Sequence, residues 1–196
     1  MHMEMEERIG DIIDQLKKHR SGYESILETR PETTLNGYIG EQYRMTIDLL
    51  SGYDLLLRAS GNNGHEKREY LEENAPWIMG EMTKSLFVNT LSHLEWDFRT
   101  KHSLRLGSQS GSFTDIVDHL FYNKLITDKT RRSLGLLLEI RNMIVYNNSS
   151  GINERKVLLF GEKIHIRPNE PFVVDPSFYI KATRVMIQHY LMVLET

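Results

Sequence analysis

The 196 residues contain no cysteine. That excludes disulfide frameworks, thiol nucleophiles and Cys-ligated zinc; a reducing compartment is allowed but not required. Charge of one sign is not in excess either, since the formal net charge is −3. The chain as a whole therefore has no bulk attraction for nucleic acid, although a local basic patch stays open. No apolar run approaches the roughly 20 residues that cross a bilayer. The first ten residues, MHMEMEERIG, lack the basic start and apolar core of a signal peptide. These absences predict a cytoplasmic protein with no membrane partner. Internal repeats and low-complexity tracts are missing as well. The Gly/Ser-rich stretch Leu106–Ser112 is no phosphate loop, because no Lys-Ser/Thr follows it and no strand precedes it.

Hydrophobic residues make up 40% and charged residues 26% of the chain, which predicts a globular protein able to bury a core. Its length suits a single domain spanning 1–196. Ile9, Ile12, Ile13 and Leu16 recur at helical spacing, so a first helix is predicted from residue 4 to about 20. Residues 21–37 read as a connection, punctuated by Arg30-Pro31 and Asn36-Gly37. A second helix is predicted from Tyr38 to about Ala59, ended by Ser60-Gly-Asn-Asn-Gly64, and together these form an N-terminal pair over 1–60. A short charged helix is expected at 65–74. Pro76 then reads as the start of a new helix, because proline at a first helical turn gives up an N–H that would be unpaired anyway. That helix, from Trp77 to about His102, carries the stripe Phe87, Leu91, Leu94 and Phe98, with Ser92 and Glu95 at its edge.

Ser112 or Thr114 is positioned to cap a helix through about Lys124, with Phe113, Ile116, Val117 and Leu120 inward. Thr127-Asp128 introduces the next helix, to about Tyr146, within a core region of 77–150. After Gly151 the period changes. Two short runs, Lys156–Phe160 and Lys163–Arg167, flank Gly161-Glu162 and predict a β-hairpin with a type II′-like turn inside 153–170. Asp175-Pro176 opens a last helix over 175–196. The fold class predicted is all-α, a helical bundle with one small β-hairpin before the final helix.

The stretch Leu134–Gly151, LGLLLEIRNMIVYNNSSG, is the most apolar helical run, yet it holds Glu139, Arg141 and Asn142. Leu134, Leu137, Leu138, Arg141, Ile144 and Val145 fall on one stripe by their spacing. Arg141 interrupts the face that should be buried, and a buried guanidinium needs a carboxylate, a carbonyl or an anionic ligand. Glu95 on the long preceding helix is the candidate partner. The arginine reads either as half of a structural ion pair or as a ligand-binding group, and the spacing leaves both open. Asn142 and Tyr146, four apart, share the neighbouring face and can line a groove with Arg141; Asn147 follows directly.

Weaker candidates surround this helix. Asp115 with His119, and His93 with Asp97, are each four apart and form possible two-ligand metal edges, but no third ligand or HExxH pattern completes either. They read better as surface pairs, and no metal or cofactor is expected. His189 on an apolar face reads as a hydrogen-bonded core histidine. Arg131, Arg132, Lys124 and Lys129 make a modest basic cluster near the start of the motif helix, the best local patch for RNA.

LLLEIRNMIVYNN resembles the signature helix of the HEPN superfamily: Arg, a polar residue, a few apolar residues, then His. SLFVNTLSHLEWDFRTKH is similar to that family's long second helix, and FTDIVDHLFYNKLITDKTRRSL to the segment leading into the motif. The likeness spans roughly residues 77–150 and, more loosely, the final helix. It implies a helical bundle that forms homodimers and, in many members, cleaves RNA without metal through Arg and His in a cleft between subunits. By that likeness Arg141 takes the place of the Arg, Asn142 that of the polar residue, and Tyr146 that of the His. A phenol titrates near pH 10 and is a poor general base at neutral pH, where imidazole works well. The expectation is an RNA-binding or ribonuclease-type protein of a defence or toxin–antitoxin system, with lost or altered catalysis and a protein antitoxin as a further partner. The layout of long helix, short Phe-led helix and motif helix is also similar to the mannitol-operon repressor family. That likeness implies a non-enzymatic regulator or interaction protein.

Overall fold

The computed structural model describes residues 2–28, 35–61, 65–102, 112–146, 154–167, 170, 172 and 174–194. Among them are six α-helices, one π-helical turn and one antiparallel two-stranded sheet: α1 His2–Glu28, α2 Leu35–Ser60, α3 His65–Asp97, the π-helical turn Phe98–His102, α4 Phe113–Tyr122, α5 Asp128–Tyr146, β1 Arg155–Leu159, β2 Glu162–Ile166 and α6 Pro176–Leu194. The fold is all-α with a hairpin before the last helix. No helix among the described residues is long and apolar enough to cross a membrane. The chain divides into two compact units, Met1–Leu86 with Asp175–Ile180 and Phe87–Val174 with Lys181–Thr196.

In the first unit α1 and α2 pair antiparallel. Glu6 near the start of α1 meets Arg58 near the end of α2 at 3.7 Å, and the Tyr23 and Tyr43 rings pack 5.8 Å apart at the other end. Ile9, Ile12, Ile13 and Leu16 of α1 and Ile39, Tyr43, Leu50 and Leu57 of α2 are all buried. Helix α1 runs on to Glu28, where the sequence predicts a connection from residue 21. Burial of Tyr23 and the Arg20–Glu24 ion pair at 2.7 Å hold this extension. The expected Asn36-Gly37 turn is instead the first turn of α2, and Arg30-Pro31 lies outside the described residues.

Helix α3 corrects a second expectation. It is continuous through Pro76, where the sequence predicts a break. Proline inside a helix removes one backbone hydrogen bond and crowds the carbonyl a turn earlier. The carbonyls just before that turn gain side-chain donors: Tyr70 O accepts from Asn74 at 2.7 Å, and Leu71 O accepts from the Tyr53 hydroxyl. Arg68 donates to Glu6 and to Glu72, each at 2.9 Å, which fixes the first turns of α3 against α1. Ala75 and Met79, on either side of the proline, are fully buried, and this burial outweighs the local breaker.

The second unit holds the candidate site. Its core joins Phe87, Leu91, Leu94 and Phe98 to Phe113, Ile116 and Leu120 of α4, Leu134, Leu137 and Ile140 of α5, and Ile187 and Tyr190 of α6. Ser112 caps α4 in a reciprocal box: its Oγ accepts from Asp115 N–H, while its own N–H donates to Asp115 Oδ2 at 3.0 Å. In the hairpin, Leu159 pairs with Glu162 and Arg155 with Ile166. The two loop residues are therefore Phe160 and Gly161, with φ of +54° and +82°. Positive φ at both central positions defines a type I′ turn, not the II′-like turn around Gly161-Glu162 that the sequence predicts. Leu159, Ile164 and Ile166 are buried on one face, and Leu158 points to solvent on the other.

Candidate functional site

Helix α5 brings Arg141 to the face that meets the second half of α3. The buried positions are Leu134, Leu137, Ile140 and Met143, with Leu138 half-buried and Val145 exposed. The core face is thus turned from the predicted stripe, toward Ile140 and Met143. Arg141 sits at its edge, its side chain 15% exposed. One terminal nitrogen, Nη2, donates to Glu95 Oε2 and to Ser92 Oγ, both at 3.1 Å, and Nη1 donates to Asn142 Oδ1 at 2.9 Å. The Nε–H is buried and has no partner among the described residues.

Glu95 does more than neutralise the arginine. Its other oxygen, Oε1, accepts the backbone N–H of Phe113, the first residue of α4, at 3.2 Å. Helix termini leave such N–H groups without intrahelical acceptors, so this contact caps α4 from α3. A single carboxylate therefore ties α3, α4 and α5 together. The structure brings Arg141, Glu95 and Asn142 into one cluster. Helix α5 ends at Tyr146; the Tyr146 side chain and Asn147 lie outside the described residues.

Asn142 is exposed and borders a groove of about 730 Å³ between α4 and α5. Thr114, Val117 and Asp118 line one wall; Arg131, Gly135 and Leu138 line the other. Its charged lining is Asp118, Asp128 and Glu139 against Arg131 and Arg132. Each of these groups is paired: Arg131 with Asp118 and Arg132 with Asp128 at 2.7 Å, and Glu139 with Arg155 of β1. The guanidinium of Arg131 also lies over the Phe121 ring, 4.6 Å from its centroid. Two arginines of the predicted basic cluster are thus neutralised in place.

The other pairs singled out in the sequence have local roles. Asp115 closes the cap of α4, and His119 lies 3.3 Å from the Asn123 side-chain nitrogen. Asp97, read from the sequence as half of a surface pair with His93, is fully buried. It takes the Tyr190 hydroxyl at 2.6 Å and Lys101 Nζ at 2.7 Å, at the point where α3 passes into its π-helical turn. Burial lowers the pKa of His93, against the pull of Asp97 and with the push of Lys101. Among the described residues no group of three His, Cys, Asp or Glu side chains is arranged to hold a metal ion. His189 is half-buried, with Nδ1 2.8 Å from the Val185 carbonyl. The Asp97 cluster escaped the sequence reading, although a signal existed: Asp97 follows Leu94 by three and directly precedes Phe98, on the buried stripe. Set against known proteins, the chain matches no family model, no curated protein and no solved structure.

Proposed function

We propose that this chain is a HEPN-like protein that binds RNA at the Arg141–Asn142 end of its motif helix, with cleavage lost or altered, and that it works as a homodimer in a defence or toxin–antitoxin setting. The observation that supports the reading is the state of Arg141. Its guanidinium is held by Glu95, Ser92 and Asn142, yet its buried Nε–H has no acceptor among the described residues. A buried donor left unpaired costs about 1–3 kcal/mol. A phosphate oxygen at this end of α5 would meet the partly exposed terminal nitrogens of the guanidinium, not the buried Nε, with a charge-assisted hydrogen bond. Tyr146, in place of an imidazole, offers an aromatic ring for base stacking and a phenol too weakly basic for proton abstraction at neutral pH.

The test uses mixed-sequence RNA with purified protein in EDTA, read by fluorescence anisotropy and by gel. Binding that disappears in Arg141→Ala supports the reading. A wild-type chain that neither binds nor cleaves RNA refutes it. A second reading, a non-enzymatic regulator like the mannitol-operon repressor family, draws on the groove. Its three acidic and two basic groups are paired, so it offers no field that attracts a polyanion and suits a polypeptide better. An RNA-silent chain that co-purifies with a protein encoded beside it would favour that reading.

A further inference from the structure

The exposed side of α3 passes the Arg141 cluster and carries one large aromatic residue there. Ser92 and Trp96 are four apart on α3, neighbours on one helix face about 6 Å apart along the axis. The Ser92 hydroxyl donates to the Val88 carbonyl at 2.9 Å and accepts from Arg141 Nη2 at 3.1 Å. The indole of Trp96 thus stands one turn beyond the residue that touches the guanidinium. Arg99 is exposed in the π-helical turn that follows. Trp96 is 53% exposed, although tryptophan is among the more deeply buried residue types. Its ring is backed by half-buried His93, with centroids 5.5 Å apart and planes inclined by 25°. Its backbone is fixed on both sides: Leu94 and Asp97 are fully buried, and the Thr100 hydroxyl donates to the Trp96 carbonyl at 2.9 Å. The indole is therefore held on one side and open to solvent over more than half of the residue.

The surroundings of Trp96 decide what lies on it. Between Phe87 and His102 it is the only large apolar side chain exposed among the described residues, so no apolar patch continues from it. Asn89, Ser92 and Arg99, which share the exposed side, are polar or cationic. The nearest carboxylate on α3, Glu95, is taken up by Arg141 at 3.1 Å. An aromatic face between two guanidinium groups follows the order of an extended nucleic-acid strand, in which a base stands between phosphates. We propose that Trp96 is a base-stacking residue: an unpaired base of single-stranded RNA lies on its open indole face, and the adjoining phosphates meet Arg141 on one side and Arg99 on the other. The inference rests on the RNA reading of Arg141 and deepens it. A base must leave its own helix to reach the indole, so the site selects single strands over duplex. All of these residues belong to the second unit.

The chain has two tryptophans, so Trp77→Phe leaves Trp96 as the single indole reporter. The probe is a mixed-sequence single-stranded RNA of about 12 nucleotides, compared in EDTA with its duplex on the complementary strand. The single strand should quench Trp96 emission to saturation, with the same midpoint as its fluorescence anisotropy, and the duplex should leave the emission unchanged. Trp96→Ala should weaken single-strand binding about 5- to 150-fold, and Trp96→Phe, which keeps an aromatic face, much less. Thermal midpoints of both variants should stay near that of the wild type, because the side chain is exposed. Binding that leaves the emission unchanged and survives Trp96→Ala overturns the assignment of Trp96 while the Arg141 reading stands. A wild-type chain that binds no RNA removes that reading and the stacking residue together. Equal affinity for the duplex, or an indole quenched only by a co-purified polypeptide, also overturns the proposal.

Discussion

The hydroxyl of Tyr190 donates to Asp97 Oδ2 at 2.6 Å, in a region where the carboxylate has no solvent exposure. Burial, then the hydrogen bond to Asp97 and its charge, push the Tyr190 phenol up. Lys101 supplies the second partner of Asp97 at 2.7 Å, from within the π-helical turn. Removing one member of a buried ionic cluster strands the others, and Asp97→Ala should cost about 3–5 kcal/mol. Tyr190→Phe removes one hydrogen bond to the carboxylate and should cost about 1–3 kcal/mol. Urea unfolding midpoints give both values. A double variant less destabilised than the sum of the two single variants would show that the groups act as a unit, and strict additivity would refute the coupling.

Asp175 caps α6 and gives the stability a dependence on acid. Its Oδ1 accepts Ser177 N–H at 2.9 Å and its Oδ2 accepts from Arg8 at 2.9 Å. Burial pushes this carboxyl up, but the hydrogen bonds from Ser177 and the Arg8 guanidinium outweigh it and hold the group below the ordinary value of 3.8. A carboxyl depressed in the folded state adds stability above its unfolded pKa, and that stability fades as pH falls through the folded value. Asp175→Ala should cost about 1 kcal/mol near neutral pH, the usual worth of an N-cap. The difference between variant and wild type should shrink as pH falls below 3.8 and through the lower folded value, where the wild-type carboxylate protonates. A difference that stays constant across that range would mean the carboxylate charge adds nothing.

Much of this architecture is legible in the sequence because short-range chemistry settles it. Ser112 or Thr114 announces the start of α4, where the structure selects Ser112, and Asp175-Pro176 announces α6. The hairpin is readable from its change of period. The misread elements depend on distant residues. Pro76 looks like a helix start, yet α3 runs through it because Ala75 and Met79 beside it are buried by other parts of the chain. The extension of α1 to Glu28 depends on Tyr43, twenty residues beyond Tyr23. At the site, the spacing of Arg141 in an apolar face called for a carboxylate, and Glu95 is there at 3.1 Å. The second use of Glu95, capping α4 through Phe113 N–H, involves a backbone group that no side-chain pattern reports.

The hairpin turn offers a clean measurement of backbone strain. Gly161 has φ of +82°, and a Cβ there would meet nothing within 4 Å. Gly161→Ala therefore tests conformation alone, without a steric contact. An L residue held in the left-handed region costs about 1–2 kcal/mol. Amide exchange should accelerate across β1 and β2 while the helices keep their protection. Unchanged exchange in the strands would contradict a type I′ turn at Phe160-Gly161.

On the RNA reading proposed above, Glu95 would set the terms on which Arg141 meets a phosphate. The carboxylate and an incoming phosphate would compete for one guanidinium, so Glu95→Gln should change stability and affinity in opposite directions. Glutamine can keep its oxygen on Phe113 N–H, but its amide faces Nη2 donor to donor. The lost charge-assisted hydrogen bond should cost about 1.5–3 kcal/mol of stability. At the same time, a negative charge beside the guanidinium disappears; for two unit charges about 4 Å apart that is a change of about 1 kcal/mol in water and more where water is partly excluded. RNA affinity should rise about tenfold, and the salt dependence should steepen as the freed guanidinium neutralises a phosphate. Arg141→Ala should abolish binding in the same assay, and Tyr146→His should raise cleavage in the presence of EDTA by supplying a base that titrates near neutrality. A folded Glu95→Gln variant with weaker RNA binding would show that the carboxylate positions the arginine instead of competing for it. Full RNA binding by Arg141→Ala would remove the arginine from the function altogether.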